Sequence, residues 1–257
     1  SLSVVHTQGS VKLINSTGQE EQAKPGLALQ PNDTVEIGSE SSAILAVDDV
    51  TNLTLHPESS MQVVGMDASG VRVELEGGRV TARVRPGSPS LAVSNRGRAA
   101  LAQESLFQAG VDLEGAFLVE ATEGQVQLQG FDGATELQEG SRVRALPTKD
   151  AVMGTIPTSL LLEVQWPESA TTKEASLILQ GRTDPYARVT VGEDGEQKVI
   201  RAGADGRFST TLALKEGVNP LTVSAKDSLG EGAEETFEVV RDSTAPTATS
   251  SEVVWGE

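Results

Sequence analysis

Apolar and polar residues alternate along most of the chain. The stretches SVKLI (10–14), TVEIG (34–38), NLTLH (52–56), VRVELEGGRVTARV (71–84) and GQVQLQ (124–129) all follow a period of two, bounded by Gly, Asn, Asp or Pro. That is the pattern of half-buried strands between turns. Helical periodicity is nearly absent. The stretch GRAALAQESLF (Gly97 to Phe107) is rich in Ala and Leu and suits a short helix or a strand pair equally. The chain therefore reads as all-β.

A phrase of glycine, one variable residue, valine, another variable residue and an aliphatic recurs at Gly9, Gly78 and Gly124. Glycine permits a positive-φ bend, and the alternate aliphatics then point onto a shared interior. The residues predicted to face outward, among them Lys12, Arg79 and Gln127, differ from copy to copy. A binding code would hold the outward positions fixed. Here the inward ones recur, so the phrase is structural punctuation.

The alternation breaks at ALPTKDAVMGTIPTS (145–159), where Pro147, Gly154 and Pro157 mark a linker. A second set of short strands follows, with Asp-Gly turn signals at EDG (193–195) and ADG (204–206), then a second linker in RDSTAPTATS (241–250). The expected organisation is a β domain over 1–150, a β-sandwich over 158–241, and a terminal piece over 242–257. PTSLLLEVQW ending at Trp166 and PTATSSEVVW ending at Trp255 share several positions. That predicts a tandem array whose next copy begins near Ala245, chance similarity being the alternative. An incomplete copy after Thr244 would be an orphan strand or disordered.

Composition narrows the function classes. Aromatic residues are 3% of the chain and glycines number 26, so the interior is built from Val, Leu, Ile and Ala. The net charge is −17, from 37 Asp and Glu against 20 Lys and Arg. A field of that sign repels nucleic-acid phosphates and anionic lipid headgroups, so neither is an expected partner. With no cysteine there is no thiolate chemistry, disulfide or iron–sulfur cluster, and folding in an oxidising compartment carries no risk of mispairing. No apolar run approaches the roughly 20 residues of a membrane-spanning helix. The opening SLSVVHTQG lacks an initiator Met, a basic leader and a cleavage site, as a mature or trimmed chain would.

Several phrases in order give the first region a family likeness over most of residues 1 to 147. These are Gly9 with Val11, LQPNDTVEIGSESSAIL (29–45), NLTLHPES (52–59), VELEGGRV (73–80) and EGQV (123–126). Together they resemble the FecR domain. Asn32 stands where that family has glycine, Asp49 is not followed by the usual glycine, and the Gly-Thr-x-Phe phrase survives only as ESLF ending at Phe107. The resemblance implies a β-solenoid-like stack of short strands. The second region, through GRTDPYARVTV and ADGRFSTTLALKEGVNPLTVSAKD, resembles a bacterial immunoglobulin-like module of the glucodextranase-appendage kind. Tyr186 replaces that module's usual glycine after Pro185.

Candidate chemistry is sparse. His6 and His56 are the only histidines and have neither triad nor metal-ligand spacing, which favours turn or surface roles. No phosphate-binding glycine motif occurs. The Asp-Gly sites lack the ligand spacing of a calcium loop, and the acidic residues around Glu231 to Glu235 read as a solvated hairpin. Catalytic, cofactor and metal residues are therefore none. TDPYAR (183–188) is the exposed candidate interface, with the scarce Tyr186 beside Arg182 and Arg188. The alternative is a ring folded onto the neighbouring strand.

The expected function is a non-enzymatic, extracytoplasmic scaffold or protein-interaction module of the bacterial envelope, with other envelope proteins as partners. A FecR-type signalling regulator is the second reading. A glycan- or peptidoglycan-binding surface protein is the third, with Trp166, Trp255 and Tyr186 as its available platforms.

Overall fold

The computed structural model describes residues 1–48, 50–157, 160–192, 196–203, 205–227, 229–230 and 232–244. Every regular element among them is a strand. They divide into two compact units, residues 1–157 with 229–230, and residues 160–227 with 232–244.

The first unit begins with β1 (Leu2–Gln8), β2 (Val11–Ile14), β3 (Glu20–Gln22), β4 (Ala28–Leu29), β5 (Thr34–Ile37) and β6 (Ser42–Ala46). It continues with β7 (Asn52–Leu55), β8 (Ser60–Asp67), β9 (Gly70–Val84), β10 (Ser90–Asn95), β11 (Arg98–Ala102) and β12 (Ser105–Val111). The last are β13 (Phe117–Gly124), β14 (Val126–Gln129), β15 (Glu136–Leu137), β16 (Ser141–Ala145) and β17 (Val152–Thr155). They form two layers. One runs β4-β1-β6-β7-β9-β12-β13-β16-β17, antiparallel throughout. The other runs β3-β2-β5-β8-β9-β10-β11-β14-β15, antiparallel except for the β9–β10 pair.

Strand β9 belongs to both layers. Its first half pairs with β8 and β10, and its second half, from Gly78, pairs with β7 and β12. The recurrent glycines therefore mark corners where the chain leaves one layer for the other. The passages are β1 to β2 at Gly9, the middle of β9 at Gly78, and β13 to β14 at Gly124. Inward residues from both layers form one core. Leu45, Leu53, Val73, Val80, Phe107 and Val126 are fully buried in it.

Gly78 shows why the corner residue is glycine. Its φ is 79°, and a Cβ there would lie 2.5 Å from Ser59 Cα, against backbone that cannot yield. A serine faces each of the three corners. Ser41 Oγ accepts the Ser10 N–H at 2.9 Å. Ser59 Oγ accepts the Arg79 N–H at 2.9 Å and donates to the Arg79 carbonyl at 2.9 Å. Both amides follow the corner glycine directly. Ser105 stands opposite Gly124, but its buried hydroxyl has no hydrogen-bond partner. The three serines are 2–6% exposed and begin the inward-facing rows of their strands.

Local expectations meet the structure at definite residues. Asn32 takes a left-handed conformation, at φ 71°, of the kind glycine adopts most readily. Asp33 closes that turn by accepting the Gln30 N–H at 2.8 Å. Gly97 to Phe107 resolves into strands, not a helix: β11 pairs with β10 around a turn at Arg96 and Gly97, and the start of β12 pairs with β9 and β13. Ala100 and Ala102 of β11, and separately Ser105, Phe107 and Ala109 of β12, are buried at period two, and that burial overrides the helix propensity of the alanines.

The second unit contains β18 (Leu162–Gln165), β19 (Thr171–Thr172), β20 (Ser176–Thr183), β21 (Arg188–Gly192), β22 (Lys198–Arg201), β23 (Arg207–Ala213), β24 (Gly217–Lys226) and β25 (Gly232–Arg241). A sheet ordered β18-β20-β23 and another ordered β19-β25-β24-β21-β22 enclose a core with Leu179, Val189, Val191, Phe208, Val223 and Ala225. That is a β-sandwich. At the ADG site Gly206 turns with φ 77° and its N–H bonds the Gly203 carbonyl at 2.9 Å. Glu193 to Gly195, Ala204, Glu231 and the tail from Ala245, with Trp255, lie outside the described residues.

Two stability contrasts follow. Gly78→Ala is expected to destabilise by at least about 2 kcal/mol through the left-handed φ and the backbone clash. Gly77→Ala, in open space at ordinary φ, should change stability by less than about 1 kcal/mol; urea midpoints of the two variants measure the difference. Likewise Ser59→Ala, which strands the Arg79 amide, should cost about 1–2 kcal/mol, and Ser105→Ala, which removes an unpartnered hydroxyl, less than about 0.5 kcal/mol. Equal losses in the serine pair would contradict the corner assignment.

Candidate functional site

Where sequence reasoning looked for chemistry, the first unit offers one open groove and one polar cluster. The groove, of about 610 Å³, is lined by Gln103, Glu104, Gln125, Gln127, Gln138 and Glu139 among others. The corner at Gly124 and the turns that flank β14 and β15 bring these side chains together. Gln125 Nε2 donates to Gln138 Oε1 at 2.8 Å, Gln138 Nε2 donates to Glu136, and Glu139 accepts the Gly124 N–H at 3.1 Å. These are amides and carboxylates suited to hydrogen-bonding a polar surface. No aromatic ring lines the groove. Among the described residues no group of three or more His, Asp or Glu is arranged to hold a metal ion. No local pattern marks this groove, because its walls come from strands whose pairing is long-range.

The polar cluster centres on His56, at the end of β7. Arg79 Nη2 donates to His56 Nδ1 at 3.1 Å, and Nε2 lies 2.8 Å from Thr81 Oγ1. With a guanidinium donating to Nδ1, the hydrogen-bond network assigns the ring proton to Nε2 and leaves the imidazole neutral. Burial, and secondarily the Arg79 charge, lower its pKa to about 4. His56 thus stands in a half-buried structural cluster beside a turn, while His6 is exposed on β1.

The expected interface residues are distributed over both sheets of the second unit. Arg182 is exposed on β20, opposite Arg207 of β23. Arg188 is exposed at the start of β21. Between them Tyr186 is half-buried and in the left-handed conformation, at φ 63°. A glycine would occupy that conformation without a steric penalty. Trp166, named above as a platform, is committed to the interior. Its ring stacks on Phe237 with centroids 5.1 Å apart, and Nε1 donates to Glu235 at 2.9 Å. The Trp255 platform lies outside the described residues.

No family model and no curated protein matches the chain. Among solved structures it is similar to a protein described as a "putative anti-sigma factor" from Parabacteroides distasonis ATCC 8503, at 14% identity and a TM-score of 0.42, over 48% of this chain and 59% of that one. It is also similar to a tetra-tandem repeat from the extending region of a large adhesion protein, at 13% identity and a TM-score of 0.26, over 91% of this chain and 66% of that one. A third is a Ca²⁺-stabilised adhesin of an Antarctic bacterium that binds ice, at 11% identity and a TM-score of 0.24, over 92% and 65% of the two chains. The chain thus spans less than two thirds of the length of each. No helix among the described residues is long and apolar enough to cross a membrane.

The His56 cluster sets an acid dependence. The unfolded chain takes up a proton near the ordinary histidine value of about 6.5, whereas the folded chain resists it down to about 4. In that window the unfolded state binds more protons, so stability should fall as pH drops from 6.5 towards 4. His56→Gln should show a shallower fall in denaturant midpoint over that range. An unchanged slope would show that the ring does not carry the effect.

Proposed function

We propose that this chain is a non-enzymatic scaffold or protein-interaction module of the bacterial envelope, working outside the cytoplasm and presenting the Tyr186 turn to another envelope protein. The observation that carries the reading is the backbone of Tyr186. A bulky residue in the left-handed region costs on the order of 1 kcal/mol or more, which surrounding structure must offset. Here the strained residue is a half-buried aromatic at a turn, with the exposed Arg188 two positions away, and Tyr is a residue type enriched at interface hot spots. The residue that would relieve the strain, glycine, would also remove the ring.

The wider setting supports the same reading. Most apolar side chains of both units are used in forming layered cores, and the titratable cluster at His56 is tied to its own strand partners. The resemblances of the two regions to the FecR domain and to an immunoglobulin-like module imply an extracytoplasmic place. Acidic charge disfavours nucleic acid and anionic membrane surfaces as alternatives.

The test separates folding from binding. Tyr186→Gly is expected to leave the thermal midpoint unchanged or raise it, by up to about 1 kcal/mol in stability. The same variant should lose retention of the envelope protein that the immobilised wild-type chain captures from envelope extract. Equal capture by both proteins contradicts the assignment of the turn.

A further inference from the structure

The sheet β19-β25-β24-β21-β22 carries a charge arrangement that its own fold does not explain. Arg188 of β21 stands directly opposite Arg201 of β22 on one side and Lys226 of β24 on the other. Residues directly opposite in an antiparallel pair share a face, so the three cations form a row across three strands, spaced by about 4.8 Å per strand. All three are exposed, and none has an ion-pair or hydrogen-bond partner among the described residues. Like charges directly opposite one another destabilise a sheet. In a chain of net charge −17, carboxylates were available to alternate with them. On the adjoining row of that face Val199, Thr190, Ser224 and Glu234 lie side by side, Glu234 opposite Ser224.

The row ends at a free backbone. Among the described residues β22 is the outer strand of its sheet and pairs on one side alone. Its Val199 side chain is 49% exposed, on the same face as the row. A free edge offers main-chain N–H and C=O groups that only another extended polypeptide can satisfy as a ladder. Charged residues on an edge also discourage unspecific pairing. A cationic edge on an acidic protein repels cationic strands and selects an anionic one.

We propose that an extended acidic segment of a partner protein adds to the outer edge of β22, with its carboxylates on Arg201, Arg188 and Lys226. This rests on the reading of the second unit as an interaction module and names the chemistry of the partner. The free edge favours a polypeptide over an anionic polysaccharide, which could meet the charges but not the ladder.

Poly-L-glutamate is the probe, titrated into the full chain at low salt, with polygalacturonate as the glycan counterpart. Poly-L-glutamate should bind, slow amide exchange across residues 198–201, and lose at least tenfold in affinity in the Arg188→Gln, Arg201→Gln double variant. Arg83→Gln, on the first unit, should bind as the wild type does. Charge-neutral replacement on exposed positions keeps the sandwich core intact, and an unchanged thermal midpoint verifies it. Absence of poly-L-glutamate binding, an equal loss in Arg83→Gln, or equally tight polygalacturonate binding with no slowing at 198–201 would each overturn the proposal. Should the probe fail while Tyr186-dependent capture of an envelope protein persists, the acidic-strand proposal falls and the interaction module stands.

Discussion

A corner in which a left-handed glycine passes beneath a serine is the constraint on which the first unit depends. Two layers of short strands can share a core only if the chain turns abruptly from one to the other. At each turn the backbone leaves a ladder and exposes amides that need partners. Glycine supplies the bend, and the space it leaves admits the serine of a neighbouring strand. At Gly9 and Gly78 the hydroxyls of Ser41 and Ser59 take the next amide along the chain. The aliphatic that follows each glycine then falls inward, which is why Val11, Val80 and Val126 are all fully buried. At Gly124 the geometry persists but the hydroxyl of Ser105 is unpartnered, and the corner amide of Gly124 donates instead to Glu139 at 3.1 Å.

This plan explains where chemistry is absent and where it is found. Thin layers packed with Val, Leu and Ala leave little interior room, and the larger rings, such as Phe107 and Phe117, fill the core instead of lining a cleft. Several of the larger polar groups are tied into the structure. Arg144 holds Asp112 at 2.7 Å and Glu114 at 2.8 Å, and Trp166 is bound between Phe237 and Glu235. The groups proposed for recognition lie at a turn and along an edge: the half-buried Tyr186 and the exposed row of Arg188, Arg201 and Lys226. An edge strand bearing unpaired cations in an acidic protein is more specific than general surface charge, because it couples backbone geometry to sign.

Much of the architecture was legible in the sequence because it is local. Period-two alternation located the strands, and the recurring glycine phrase was rightly read as structural. Asn32 and Tyr186, where the two resemblances would place glycine, take left-handed conformations. Other features needed pairing information that no local pattern contains. The serines were present in the quoted phrases, yet their partnership with glycines some 20 to 30 positions away follows from register. Gly97 to Phe107 was ambiguous because alanine suits a helix, and only burial against neighbouring strands decides it. Arg188 was noticed beside Tyr186, whereas Arg201 and Lys226 join it only through cross-strand register. Trp166 looked like a platform because stacking on a residue 71 positions away leaves no local trace.

The central claim is that the corner hydroxyls hold the two layers together. Native-state hydrogen exchange of the Ser10 and Arg79 amides tests it most directly, since each donates to a serine Oγ and lies at a corner. The account predicts protection equal to that of amides in the middle of β9, opening only with the whole unit. Exchange at the rate of an exposed turn, with β9 still protected, would contradict it.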